Sequence, residues 1–165
     1  GKGWVYEGGI REAFMIRAPG VTKAGEICDV PVMTIDFYPT LLELCNIPVN
    51  KQQQVDGESL VSLLGGVQQT KRKSLFWHYP HYSNQGGFPG GAVRSGDWKL
   101  IERYEDGRKH LYHLGDDVGE MNDVAGKHPE RVKQMTSDLH AWYREMDAKF
   151  LRAKPSGPSP WVPSP

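Results

Sequence analysis

Hydrophobic and polar positions follow two different rhythms along this chain. From residue 74 to residue 114 the rhythm is that of strands. Ser74-Leu-Phe-Trp-His-Tyr79 is aromatic-rich. A Gly-rich stretch over residues 83–91 reads as a loop. Ala92-Val-Arg-Ser95, Trp98-Lys-Leu-Ile-Glu-Arg-Tyr104 and Lys109-His-Leu-Tyr-His-Leu114 then read as further strands. Gly96-Asp97 and Glu105-Asp-Gly107 fit tight turns between them, so the segment predicts a small antiparallel sheet. Its alternation is mixed. Trp98, Leu100 and Glu102 share one face while Lys99, Ile101 and Arg103 share the other, and neither face is cleanly apolar. Two other segments follow a helical rhythm. Ile35, Tyr38, Leu41, Leu42 and Cys45 recur at three- and four-residue steps, predicting a helix from a Thr34 cap to Leu44, ended by Asn46 and Pro48. Val132, Met135, Leu139, Trp142 and Met146 do the same in the longest predicted helix, Pro129 to about Lys149, with Pro in its first turn. That stripe should pack on the sheet.

The remaining segments punctuate this frame. Residues 1–12 are glycine-rich, as suits a loop that turns tightly or approaches a ligand. Ala13-Phe-Met-Ile-Arg-Ala18, closed by Pro19-Gly20, reads as a buried strand. Ser59-Leu-Val-Ser-Leu-Leu64 reads as a helical turn stopped by Gly65-Gly66. The Pro/Ser-rich tail should be extended or disordered. Strand and helix, then hairpin strands, then one long helix make an α/β pattern with a β-rich second subdomain covered by a helix.

Composition narrows the function classes. The 165 residues suffice for one domain of ordinary size. Lys plus Arg number 20 and Asp plus Glu number 20, so no net field draws nucleic acid or an anionic membrane. Any anion affinity must come from a local site. No apolar run is long enough to span a bilayer, and no signal peptide is visible. The opening Gly-Lys-Gly-Trp without a Met reads as the middle of a longer protein. Two cysteines, Cys28 and Cys45, make no disulfide framework and read as small buried hydrophobes.

Few residues stand out for chemistry. Lys2, within a glycine-rich loop, could present its ammonium to a tetrahedral oxyanion, or it could be an ordinary surface lysine. His78 and His81, beside the second glycine-rich loop, could be acid/base groups, metal ligands or packed side chains. His110 and His113 read as structural, and His128 and His140 as solvent-facing. Asp116, Asp117 and Glu120 read as a polar turn rather than a calcium loop.

An ordered set of motifs adds to this. Gly1-Lys-Gly-Trp-Val-Tyr-Glu-Gly-Gly-Ile-Arg11, Ile35-Asp-Phe-Tyr-Pro-Thr-Leu-Leu-Glu-Leu44 and Asp56-Gly-Glu-Ser-Leu60 come first. Leu75-Phe-Trp-His-Tyr-Pro-His-Tyr82, Ala92-Val-Arg-Ser-Gly-Asp-Trp-Lys-Leu-Ile101 and the stretch from Leu111 to Ala125 follow. From residue 1 to about 150 they resemble the C-terminal part of the formylglycine-dependent sulfatases. The resemblance implies an alkaline-phosphatase-like α/β fold. Residues 1–70 would end the large domain, 71–150 would form a small antiparallel subdomain with its helix, and 151–165 would be a tail. It implies hydrolysis of sulfate esters, of a sulfated carbohydrate in particular. Lys2 would contact the sulfate, and His78 and His81 would contact the substrate. Calcium and formylglycine would come from an N-terminal half of the same enzyme, and export to the periplasm or medium is the family habit. The nucleophile motif Cys/Ser-x-Pro-x-Arg is missing: Cys28 precedes Asp-Val-Pro, Cys45 precedes Asn-Ile-Pro, and Ser156-Gly-Pro-Ser-Pro160 has proline where arginine is needed. The chain alone is therefore expected to be inactive. A phosphodiesterase or phosphonate hydrolase of the same fold, and a glycan-binding module using Phe76, Trp77, Tyr79 and Tyr82, are the alternatives.

Overall fold

A computed structural model describes residues 1–163; the last two positions of the expected tail lie outside the described residues. The chain divides into two compact units. One joins Gly1–Glu12 to the chain from Ser74 onward, and the other is Ala13–Lys73. Residues 1–12 group with the sheet. The reason is a set of buried contacts described below.

The first unit is built on a four-stranded antiparallel meander. Strands β1 (Ser74–Tyr79), β2 (Gly90–Ser95), β3 (Trp98–Arg103) and β4 (Lys109–His113) lie side by side in chain order. Gly96 (φ 57°) and Gly107 (φ 70°) take the left-handed conformations that the connecting turns need. The pairing register sets two faces. Phe76, Val93, Leu100 and Leu111 align across the sheet in one row, and Trp77, Ala92 and Ile101 align in the next row on the opposite face. Both faces are covered, so both carry apolar residues.

The long helix on the first face spans Pro129–Glu145, shorter at its C-terminus than predicted. Its Met135, Leu139 and Tyr143 pack with Val93, Leu100, Tyr104 and Leu111 in the larger core. Trp161 in the tail stacks on Tyr104, with rings 5.7 Å apart and 8° from parallel, so this part of the tail is pinned rather than loose. On the second face Ala92, Ile101, Tyr112 and Leu114 close over Val5 from the N-terminal segment. That contact brings residues 1–12 to the sheet.

In the second unit the helical prediction resolves into a 3-10 turn, Thr34–Asp36, followed by a helix, Phe37–Leu44. A further helical turn covers Val61–Leu64. Asp36 is the hub. Its carboxylate accepts from the N–H groups of Met33 (2.8 Å) and Glu58 (2.9 Å) and from both terminal nitrogens of Arg72. Burial alone would raise Asp36, but Arg72 and these N–H groups outweigh it and hold the carboxyl below its usual range. Thr40 accepts from Leu60 N–H at 2.9 Å, fixing the second turn against the first helix. A Cβ on Gly57 would stand 2.0 Å from the Ile35 carbonyl, which explains the glycine of the Asp56-Gly-Glu-Ser turn.

Two expectations for this unit fail. Ala13–Ala18 forms no strand, and Met15 is 90% exposed. The apolar run finds no partner strand among the described residues, and a lone strand cannot satisfy its backbone. Ile35, Tyr38 and Leu41 of the predicted apolar helix face are exposed, and both cysteines, expected to be buried, are exposed as well. A cleft of about 510 Å³ opens between Phe14–Cys28 and the Leu60–Leu64 turn.

Candidate functional site

Lys2 is exposed in the N-terminal loop. The loop folds back on itself before entering the helical turn α1 (Glu7–Ile10). A Cβ on Gly9 would lie 2.1 Å from the Trp4 carbonyl and 2.7 Å from the Gly1 carbonyl, so only glycine permits this closure. The second glycine-rich loop presses on the first. A Cβ on Gly3 would meet Ser83 Oγ and Gln85 Cβ, each at 3.2 Å, and one on Gly87 would come within 2.5 Å of the Gly3 carbonyl. Phe88 packs edge-to-face on both Trp4 and Tyr6, with centroids 5.8 and 6.0 Å apart, joining the two loops laterally.

Under this loop lies an ionic cluster. Lys99 sits in β3 with no exposed surface. Its ammonium donates to Glu7 Oε1 at 2.9 Å, and lies 2.9 Å from Glu120 Oε1 but off the line of a hydrogen bond. The Glu7 N–H donates in turn to Glu120 Oε2. Arg94 and Arg11 approach the outer oxygen of Glu7 at 3.7 and 3.6 Å. Glu7, Lys99 and Glu120, from three segments far apart in sequence, thus meet in one buried cluster. The sequence reading did not assign Lys99, Glu7 or Arg94 to any site. The available signal was a lysine on a strand face shared with Ile101. Glu120 had been read as part of a polar turn. It takes φ 53° to turn its carboxylate inward.

The two histidines differ in circumstance. His78 Nδ1 lies 2.7 Å from Tyr104 Oη, and Nε2 lies 2.9 Å from the Lys149 carbonyl. That carbonyl can only accept, so neutral His78 carries its proton on Nε2 and Nδ1 accepts from Tyr104. Burial pushes His78 below its ordinary value, partly offset by Lys149 and reinforced by His81. Both ring nitrogens are committed inside the unit. His81 is exposed and makes an edge contact to Tyr79 at 5.5 Å. His140 is not solvent-facing as expected. Its Nε2 contacts both oxygens of Glu102, at 3.0 and 2.9 Å, and Glu102 is fully buried with Lys109 at 3.2 Å. A buried carboxylate needs such partners, and the helix provides one. Phe76, partly buried, stacks on Trp142 at 5.1 Å beside the larger core.

Asp117 accepts from the N–H groups of Met121 (3.0 Å) and Asn122 (2.8 Å), which makes the turn a structural one. Among the described residues no group of three or more His, Cys, Asp or Glu could hold a metal ion. Neither cysteine lies in the motif from which formylglycine is made. These residues therefore do not fit calcium or the formylglycine nucleophile.

Residues 1–149 match the family described as N-sulphoglucosamine sulphohydrolase, C-terminal. The chain belongs to the sulfatase family, in its C-terminal region. A sulfatase of Formosa agariphila is 35% identical over 86% of this chain and 28% of its own length. Human arylsulfatase A is 32% identical over 90% of this chain and 33% of its own. The solved structure of BT4656 with its substrate D-glucosamine-2-N,6-O-disulfate superposes with a TM-score of 0.66 at 26% identity, over 79% of this chain and 28% of that one. The alkaline-phosphatase-like fold expected from the motifs is that of these relatives. This chain thus spans about a third or less of the relatives it matches. No helix among the described residues is long and apolar enough to cross a membrane.

Proposed function

We propose that this chain supplies the sulfate-holding lysine and one wall of the substrate site in an enzyme that hydrolyses sulfate esters of carbohydrates. The observation that carries the reading is Lys2, exposed on a glycine loop whose base is locked by buried charge, in a chain of the sulfatase family. Its ammonium, held beside a sulfate, offsets negative charge as the S–O bond to the sugar breaks. Ser83 and Gln85, which come onto Gly3, form the adjoining polar wall. Of the two histidines, His81 contacts the substrate, and His78 supports the strand from which that loop departs. The substrate named for BT4656, a disulfated glucosamine, favours a sulfated sugar here too.

Formylglycine would supply the nucleophile. It and calcium would come from an N-terminal partner region of the same enzyme, since this chain covers only 28% of its Formosa agariphila relative. The family resemblance supports export of the whole enzyme to the periplasm or the medium. Two assays test the reading. The purified 165-residue chain should show no turnover of sulfated glucosamine. The complete reading frame that contains it should release sulfate from that sugar. Turnover by the chain alone, or preference of the complete protein for phosphate or phosphonate esters, would count against it.

A further inference from the structure

The Lys99 cluster enters the reading above only as the anchor of the loop, and a fully buried lysine asks for more than an anchor. A lysine with no exposed surface is costly to bury, and apolar side chains of similar size often serve stability as well or better. What apolar packing does not provide is direction. An ion pair with hydrogen bonds fixes where each partner lies and how it is turned.

We infer that Lys99, with Glu7 and Glu120, is a positioning device for Lys2. The inference rests on the reading that Lys2 holds the sulfate. Glu7 is gripped twice, by its carboxylate through Lys99 and by its main-chain N–H through Glu120. Two grips on one residue fix both the place and the rotation of α1. Val5, buried with Ala92, Ile101, Tyr112 and Leu114, adds a third attachment two residues earlier. From there to Lys2 the chain has little freedom. Gly9 lies against the carbonyls of Trp4 and Gly1, and Gly3 lies against Gly87. The order imposed at Glu7 therefore passes through main-chain contacts to the segment that carries Lys2. Each of the three charged residues comes from a different part of the chain: the loop itself, strand β3, and the turn after β4. The loop is thereby registered against the sheet rather than merely attached to it.

The test is amide hydrogen exchange on the 165-residue chain, with Lys99→Met and Glu120→Gln beside the unaltered protein. Glutamine keeps an oxygen for the Glu7 N–H but removes the charge beside Lys99. Both variants should speed exchange in residues 1–12 by on the order of tenfold or more, while β2 and β3 change by less than about threefold. If Lys99→Met fails to fold, Glu120→Gln decides alone. Unchanged exchange in residues 1–12, or equal acceleration in β3, overturns the inference, because the cluster would then hold nothing or hold the whole sheet. In the complete enzyme, Glu120→Gln should lower kcat/KM for sulfate-ester hydrolysis by about tenfold in the Lys2 background and by less than about twofold in a Lys2→Ala background. A merely structural role would lower both equally. If Lys2→Ala alone has no effect, the sulfate-holding reading fails, and the exchange result still stands or falls by itself.

Discussion

Gly91 offers a sharp test of how the larger core is built. It lies in β2, in the same cross-sheet row as His78, Glu102 and Lys109. A Cβ at this position would stand 1.9 Å from Tyr143 Oη and 2.5 Å from Tyr104 Oη, far inside van der Waals contact. These hydroxyls lie 2.8 Å apart, and Tyr104 Oη also meets His78 Nδ1 at 2.7 Å. Gly91→Ala must therefore push a hydroxyl pair that is itself bonded. Overpacking costs about 1–3 kcal/mol, and each hydrogen bond lost adds about 1 kcal/mol, so the substitution should destabilise by about 3 kcal/mol. Without the clash its sign would be opposite, since alanine in a strand is favoured over glycine by roughly 0.5–1 kcal/mol. Tyr143→Phe removes the nearer oxygen and should cost about 1 kcal/mol alone. In that background Gly91→Ala should cost only about 1–2 kcal/mol, a coupling of at least about 1 kcal/mol. Urea unfolding of the four proteins followed by tryptophan fluorescence measures this. A stabilising Gly91→Ala, or additivity within about 0.5 kcal/mol, would refute the packing argument.

Two further outcomes follow from the polar groups. Asp36→Asn should destabilise residues 13–73 by about 3 kcal/mol, because it leaves the Arg72 guanidinium without its counter-charge; hydrogen exchange over Met33–Leu60 would report it. His78 has a lowered pKa in the fold, so its contribution is fully present above its unfolded value of 6.5 and is lost as pH falls through 6.5 toward the folded value. His78→Gln should accordingly flatten the loss of stability between pH 7 and 5, read as the urea midpoint at each pH. A slope identical to that of the unaltered protein would count against a neutral, buried His78.

The parts of the fold that were legible in the sequence are the local ones. The strands of the meander and its two tight turns follow from β-prone runs punctuated by turn glycines, and Gly96 and Gly107 do take positive φ. The long helix follows from its apolar stripe and from Pro129, which the structure puts at its first residue. The mixed faces of Trp98–Arg103 were visible but could not be interpreted, because a lysine on a strand normally marks solvent. Lys99 is buried because Glu7 and Glu120 come to it, and the first of these lies 92 residues away. No periodicity encodes a pair at that separation. His140 was misjudged for the same reason: its partner, Glu102, lies in β3. In residues 13–73 the apolar rhythm of Ile35, Tyr38 and Leu41 was real, but these side chains are exposed. Rhythm predicts which face is apolar and not what covers it. At the candidate site the sequence marked Lys2 only as a lysine among glycines, and its proposed role came from the resemblance. Why those glycines are needed became clear from the backbone contacts of Gly3 and Gly9.

The most direct measurement is the kcat/KM of sulfate release from a sulfated glucosamine by the complete reading frame, with Lys2→Ala and Lys2→Arg. If Lys2 faces the sulfate as its bond to the sugar breaks, alanine should lower kcat/KM by on the order of 10²–10³. Arginine should restore part of the loss by keeping the positive charge. A Lys2→Ala enzyme within about threefold of the unaltered one would contradict the account, and Lys2 would then be an ordinary surface lysine on an unusually well-anchored loop.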